Sequence, residues 1–265
     1  MIKIGITTHY TGSTNYGGCL QAFALQKELH YMGYSAMQIR FWSTDIRIDQ
    51  RIRRTIKSKR IMILYNAIDT KKYRYNALIR ADIRKELGLD DSSFTIGHVG
   101  RLTYQKNQFF LLDIFKELTK INYNAILLMV GDGPDEEALK EYAEKLRISE
   151  SVWFLGNRTD VSSLMQAMDL FLLPSRSEGF GIVTIESQSA CLPTICSTNV
   201  PLDVKATDLV KFISLKREPK QWAELIQTFH NNTYRYDISD IVAKRGYDIS
   251  VALQKLLQFY SLITK

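Results

Sequence analysis

Four short apolar runs fill the middle of the chain, near 94–99, 124–130, 151–155 and 169–173, and each ends on a glycine or proline: Gly100, Gly131, Gly156 and Pro174. Runs of this length, closed by turn residues, read as buried strands. Segments of helical period follow them at 106–120, 134–147, 160–168 and 181–190. Strand and helix in alternation require a parallel sheet with helices on both faces, because a parallel neighbour is reached only through a crossover. Further strands are expected near 61–65 and 193–196, and further helices near 76–87, 218–231 and 248–263. In a doubly wound α/β sheet, ligands bind beyond the carboxyl ends of the strands. The loops that begin at Gly100, Gly131, Gly156 and Pro174 therefore meet on one rim.

Pro174 to Glu186 is the most informative of these loops, reading Pro-Ser-Arg-Ser-Glu-Gly-Phe-Gly-Ile-Val-Thr-Ile-Glu. Gly179 and Gly181 allow a ligand close to the backbone. A helix opens at about Gly181, so the N–H groups around Phe180, Ile182 and Val183 form an anion site with the helix dipole behind them. Glu178 and Glu186 bracket the turn. Taken alone they fit solvated surface residues as well as they fit ligand contacts. Arg101, next to Gly100, and Lys106, at the next helix start, add two cations to the rim. A guanidinium fork and a mobile ammonium together suit a diphosphate.

The 265 residues suffice for one large domain or two smaller ones with a sizeable core; 45% hydrophobic and 24% charged residues are ordinary for a globular protein. No apolar run approaches the roughly 20 residues of a membrane helix. The opening Met-Ile-Lys-Ile-Gly-Ile-Thr is strand-like and too short for a signal peptide. Cys19, Cys191 and Cys196 form no Cys-x-x-Cys pair, which disfavours a disulfide framework or zinc site and fits a reduced, cytoplasmic setting. The net charge of +7 is local. Residues 40–60 hold eight Lys/Arg against Asp45 and Asp49, so all but one unit of the net charge sits there, and no whole-protein field for nucleic acid remains. Ile46, Ile48, Ile52 and Ile56 are interleaved with those charges, a pattern shared by solvated connectors and by segments lying peripherally on a membrane's inner face.

Ahead of that block, residues 2–7 and Ser35 to Trp42 read as strands and 19–33 as a helix, a βαβ unit whose glycine loop lacks full dinucleotide-binding spacing. The expected organisation is a βαβ fragment at 1–42, a basic linker at 43–60, a Rossmann-like domain at 61–245 and a terminal helix at 246–265.

Several motifs carry a resemblance. They are Tyr-Asn-Ala-Ile-Asp (65–69), Gly-His-Val-Gly-Arg-Leu with Gln-Lys-Asn (97–107), Val-Gly-Asp-Gly (130–133), Phe-Leu-Gly-Asn-Arg (154–158) and the glutamates at 178 and 186. From about Ile63 onward the chain resembles the nucleotide-sugar-binding half of the retaining glycosyltransferases of family 4, which have the two-domain GT-B fold. It is most similar to enzymes that build bacterial capsular and exopolysaccharides. The resemblance implies that Arg101 and Lys106 bind the donor diphosphate and stabilise the departing nucleotide. It puts Gly100, Gly131, Gly179, Phe180, Gly181, Ile182 and Val183 around the donor, Glu178 on its sugar, Glu186 on its ribose, and Asn157 and Arg158 beside the base. A UDP-linked sugar is the implied donor, a glycan or lipid-linked molecule the acceptor. No Asp-x-Asp pair occurs, and the resembled fold uses cations and helix dipoles, with no metal or other cofactor. The terminal helix would cross back to the first domain.

Residues 3–41, with Asn-Tyr-Gly-Gly (15–18) and Leu-Gln-Ala-Phe-Ala-Leu-Gln (20–26), instead resemble the opening of polysaccharide pyruvyl transferases. Only about 60 residues precede Tyr65, a truncated βαβ unit where the glycosyltransferases have a whole acceptor domain. That domain's usual histidine has no counterpart among His9, His30, His98 and His230. Three functions are therefore carried forward: a glycosyltransferase, a catalytically impaired sugar-nucleotide-binding protein and a pyruvyl transferase.

Overall fold

The chain opens on two strands, β1 (Lys3–Tyr10) and β2 (Ser35–Trp42), which pair in parallel from Lys3 opposite Ser35 to Tyr10 opposite Trp42. This is the pairing a βαβ unit requires. The computed structural model describes residues 3–10, 35–42, 66–230 and 235–263. The helix expected at 19–33, the strand at 61–65 and the basic segment from 43 to 60 lie outside them. Contacts divide the chain into Met1–Asn66 with Ser250–Lys265, and Ala67–Ile249.

Within Ala67–Ile249 the apolar runs form β3 (Phe94–Val99), β4 (Ala125–Val130), β5 (Val152–Gly156), β6 (Leu170–Leu173), β7 (Thr194–Ser197) and β8 (Val210–Ile213). They make one parallel sheet in the order β5-β4-β3-β6-β7-β8. Around it lie α1 (Thr70–Tyr73), α2 (Ala77–Leu87), α3 (Gln108–Thr119), α4 (Glu136–Lys145), α5 (Val161–Ala167), α6 (Val183–Ser189), α7 (Pro219–Gln227) and α8 (Ser239–Val242). A last helix, α9, spans Ile249–Ile263.

Alternating strand residues feed two cores, as a sheet covered on both faces requires. Phe94, Ile96, Leu127, Met129, Leu170, Leu172 and Ile195 join one core with Leu111, Leu112 and Phe115 of α3, Leu139 of α4 and Trp222 of α7. Leu128, Val130, Phe171, Leu173 and Cys196 face the other, with Leu164 and Met165 of α5 and Ile185 of α6. Local chemistry sets the ends. The Asn76 side chain accepts from the N–H groups of Leu78 and Ile79 to start α2, and Gly88 ends it in the left-handed region at φ 70°. Glu218 and Gln221 close a capping box around Pro219 at the start of α7.

The strand order fixes where a ligand can sit. From β3 the chain winds outward through β4 to β5, then returns to β6 on the other side of β3. The winding reverses between β3 and β6, and in open α/β sheets ligands bind beyond the carboxyl ends of the strands at such a switch point.

Candidate functional site

Two loops leave the sheet at that switch point, Gly100–Asn107 after β3 and Pro174–Ile182 after β6, and four polar contacts tie them together. Asn107 Nδ2 donates to the Pro174 carbonyl at 3.1 Å, and Gln105 Nε2 donates to the Ser177 carbonyl at 2.8 Å. The Arg176 N–H reaches the Gln105 carbonyl at 2.8 Å, and Lys106 Nζ reaches Glu178 Oε1 at 2.6 Å. From the β7 side, Ser197 Oγ donates to the Ser175 carbonyl at 2.5 Å and Asn199 Nδ2 to the Arg176 carbonyl at 2.8 Å. The Arg176 guanidinium lies 4.3 Å above the Tyr104 ring, a cation–π contact on the exposed side.

The Lys106 stem passes close over Gly100 on its way to Glu178. A Cβ there would stand 3.3 Å from Lys106 Cε and 3.5 Å from its Cδ, so the lysine stem runs over bare backbone. The pair is largely enclosed: 18% of the Lys106 side chain and 6% of the Glu178 side chain are exposed. Ser175, itself fully buried, donates its hydroxyl to the same Oε1 at 2.7 Å. One carboxylate oxygen thus carries a charged and a neutral donor.

Beneath Gly100 lies the buried His98, between the Leu172 carbonyl, 2.9 Å from Nδ1, and Gln108 Nε2, 3.1 Å from Nε2. Burial is the main cause that lowers its pKa to about 4, so the ring is neutral, with Nδ1 the donor. Gln108 also holds the Arg101 carbonyl at 2.9 Å. Asn107 starts α3 in the left-handed region at φ 61°, with Oδ1 buried and unpartnered among the described residues. Strain and an unsatisfied oxygen on the same residue are tolerated where neighbours fix the backbone, commonly at functional sites.

The other cluster surrounds a cleft of about 250 Å³ beyond β3, β4 and β5, lined by Gly100, Arg101, Gly131, Asp132, Asn157 and Arg158 with Val99, Val130 and Val161. Gly131 is forced: at φ 130° a Cβ would stand 2.2 Å from the Gly100 carbonyl oxygen. Arg101 and Asn157 are exposed. Arg158 turns back onto Asp160, Nε to Oδ1 at 2.8 Å and Nη2 to Oδ2 at 2.7 Å. An ion pair this exposed costs little to open.

The residues singled out from the sequence therefore fall into two groups. Lys106 and Glu178 meet directly. Gly100, Arg101, Gly131, Asn157 and Arg158 share the cleft, whose lining does not include Lys106, Glu178 or Glu186. Gly179 is exposed, and Gly181 takes φ 84°. Phe180 and Ile182, both half-buried, pack their side chains against the second core, and Phe180 also approaches the Tyr247 ring at 6.1 Å. The helix expected from Gly181 begins at Val183, with no side-chain cap. Burial raises Glu186 above the ordinary carboxylate range, against a hydrogen bond from Tyr73 and the charge of Lys72. Sequence reasoning missed Ser175, Gln108, Tyr73 and Asp132 as members of the site. Asp132, inside a quoted glycine motif, and Ser175, inside the Pro174–Glu186 stretch, gave a local signal; Gln108 and Tyr73 did not.

The opposite rim carries a different set of cations. Arg80, Arg84 and Arg235 converge on the carbonyls of Met165, Gln166, Ala167 and Met168, which end α5. Asp169 binds Arg80 at 2.5 Å and the Thr95 N–H at 2.7 Å. These arginines satisfy a helix C-terminus. Among the described residues, no group of three or more His, Cys, Asp or Glu stands close enough to hold a metal ion, and no helix is long and apolar enough to cross a membrane.

Comparison with known proteins gives a consistent outcome. The family model "Glycosyl transferases group 1" matches residues 79–245. A putative glycosyltransferase, EpsF of Bacillus subtilis, is 30% identical over 213 residues, 79% of this chain and 56% of that protein. An Escherichia coli enzyme, UDP-Gal:alpha-D-GlcNAc-diphosphoundecaprenol alpha-1,3-galactosyltransferase, is 32% identical over 142 residues, 52% of this chain and 36% of its own length. This chain thus spans about half or less of the curated relatives it matches. Among solved structures, Anabaena HepE in complex with UDP and glucose superposes with a TM-score of 0.70 at 19% identity, covering 97% of this chain and 71% of that one. WaaG, a glycosyltransferase involved in lipopolysaccharide biosynthesis, gives 0.61 at 21% identity over 91% of this chain and 62% of its own. These likenesses show the fold. The pyruvyl transferase resemblance of residues 3–41 gains no support from them.

Proposed function

The chain belongs to the group 1 glycosyl transferases, and from that premise we propose that it transfers a sugar from a UDP-linked donor to a glycan or lipid-linked acceptor in surface polysaccharide synthesis, with retention. The observation that carries this reading is the pairing of Lys106 with Glu178 between the loops that follow β3 and β6, where the sheet winding reverses. An ammonium suits phosphate and a carboxylate suits sugar hydroxyls, so their contact supports a site for a sugar–phosphate bond.

The proposed chemistry follows from charge. As the bond between sugar and phosphate breaks, negative charge collects on the departing diphosphate, and fixed donors lower that barrier. Arg101 and Lys106 would supply cations, and the N–H groups around Phe180, Gly181, Ile182 and Val183 would supply dipoles. Glu178, whose Oε1 already carries two donors, fits a sugar-positioning role better than a nucleophilic one. Glu186 would accept the ribose hydroxyls, and Gly131, Asn157 and Arg158 would border the base. The complexes of HepE with UDP, with UDP and glucose, and with UDP-glucose support a donor of that class on this fold. The basic block at 40–60 would hold the protein against the inner membrane face, where lipid-linked acceptors lie.

Titration calorimetry with UDP and a panel of UDP-sugars tests the donor. Arg101→Ala or Lys106→Ala is expected to weaken UDP binding about 10- to 100-fold, the loss of one or more charge-assisted bonds. Unchanged affinity in both would remove the diphosphate assignment. Binding without transfer or donor hydrolysis, over pooled acceptors, would move the conclusion to a donor-binding protein without turnover.

A further inference from the structure

The Lys106–Glu178 contact raises a problem that the donor reading leaves open. Lys106 is to hold phosphate, yet its ammonium is already engaged with a carboxylate, and most of both side chains is shut away from water. Separating an enclosed ion pair leaves each charge short of a partner, which is costly unless something replaces it. For Lys106 the replacement is the incoming phosphate. For Glu178 what remains among the described residues is the Ser175 hydroxyl at 2.7 Å, a single neutral donor on Oε1.

We propose that the Lys106–Glu178 ion pair makes this site select an intact sugar nucleotide over the sugar-free nucleoside diphosphate. The inference rests on the donor reading above and deepens it. A sugar nucleotide brings both halves of the exchange, since its phosphate takes Lys106 and its sugar hydroxyls donate to the vacated Glu178. A nucleoside diphosphate brings only the phosphate and leaves the carboxylate with Ser175 alone. The same asymmetry acts after transfer. Once the sugar has left, Glu178 loses its hydroxyl donors and competes again for Lys106, which weakens the hold on the product nucleotide. Geometry makes the competition direct, because the lysine stem crosses Gly100 and the glutamate Cγ lies beside Gly181, 3.7 Å from where a Cβ would stand.

Titration calorimetry on the whole chain with UDP, UDP-glucose, UDP-galactose and UDP-N-acetylglucosamine tests this in the parent, E178Q and S175A. In the parent, at least one sugar nucleotide should bind more tightly than UDP. In E178Q the amide no longer holds Lys106 as an ion pair, so UDP should bind about tenfold more tightly while the preference for the sugar nucleotide collapses. S175A should act in the opposite sense: detaching Lys106 would leave Oε1 without any donor, so UDP weakens more than the sugar nucleotide does. If S175A does not fold, E178Q still decides. An E178Q protein that binds UDP as the parent does, or loses UDP and sugar nucleotide in equal measure, overturns the selection. A parent that binds none of the four overturns the donor reading itself and the inference with it.

Discussion

At the scale of single residues, the site sets stability against function most plainly at Glu186. Its carboxyl sits in the first turn of α6, where burial raises its pKa more than Tyr73 and Lys72 lower it. A carboxyl whose pKa is higher in the folded chain than in the unfolded one takes up a proton on folding. Stability therefore falls as pH rises from the ordinary carboxylate value, about 4.3, through the raised one. Above the raised value the folded protein carries this cost in full. Glu186→Gln removes the ionising group and keeps the shape. The variant is expected to melt a few degrees higher than the parent at pH 7, with the gap closing below about pH 4. On the proposed ribose contact, the same substitution should also weaken UDP binding, because an amide replaces the carboxyl that would accept the hydroxyls. Differential scanning calorimetry at both pH values reads the first effect. A variant no more stable than its parent at pH 7 would mean that Glu186 bears no burial cost.

At the scale of elements, the two rims of the sheet put positive charge to different use. On the ligand rim Lys106 and Arg101 stand on loops. On the opposite rim Arg235 is buried, with its pKa lowered to about 10 mainly by desolvation, and it serves two helices at once. Its guanidinium donates to Gln166 and Met168 at the end of α5 at 2.9 and 2.7 Å, and to Ala190 after α6 at 2.6 Å. It also lies 4.6 Å from the Tyr75 ring. Arg235→Lys keeps the charge but cannot present a planar fork to carbonyls of two helices. A loss of roughly 2–4 kcal/mol in urea unfolding is expected, since several buried carbonyls lose their donor. UDP affinity measured well below the melting temperature should stay within twofold of the parent. A large affinity loss at preserved stability would show that this rim reaches the ligand.

At the scale of the whole molecule, what the sequence disclosed follows contact distance along the chain. Strands at 35–42 and 94–99 were legible to the residue, because each is a continuous run between turn signals. Most helix ends were placed one to four residues too far out, where caps override periodicity, while the ends at Leu87 and Ile263 were met. β8, Val-Lys-Phe-Ile, went unseen: four residues at a sheet edge with an exposed lysine carry no burial pattern. The convergence of loops on one rim was legible from the alternation alone. The union of Lys106 with Glu178 was not, since 72 residues separate them and only the return of β6 beside β3 brings them together. Charge location, by contrast, is written locally, and it leads to the last prediction. All but one unit of the net charge lies in residues 40–60. Each Lys or Arg near an anionic bilayer contributes about 1 kcal/mol, and added salt screens that attraction. The protein should therefore sediment with phosphatidylcholine vesicles containing phosphatidylglycerol and stay in solution with phosphatidylcholine alone. Raising salt to about 0.5 M should release it, as the screening length then falls to a few ångströms. Replacing Arg53, Arg54, Lys57, Lys59 and Arg60 with Gln should abolish sedimentation and leave UDP affinity intact, because Arg101 and Lys106 are untouched. Equal sedimentation of parent and variant would assign the block to a solvated connector and leave the acceptor to reach the site by diffusion.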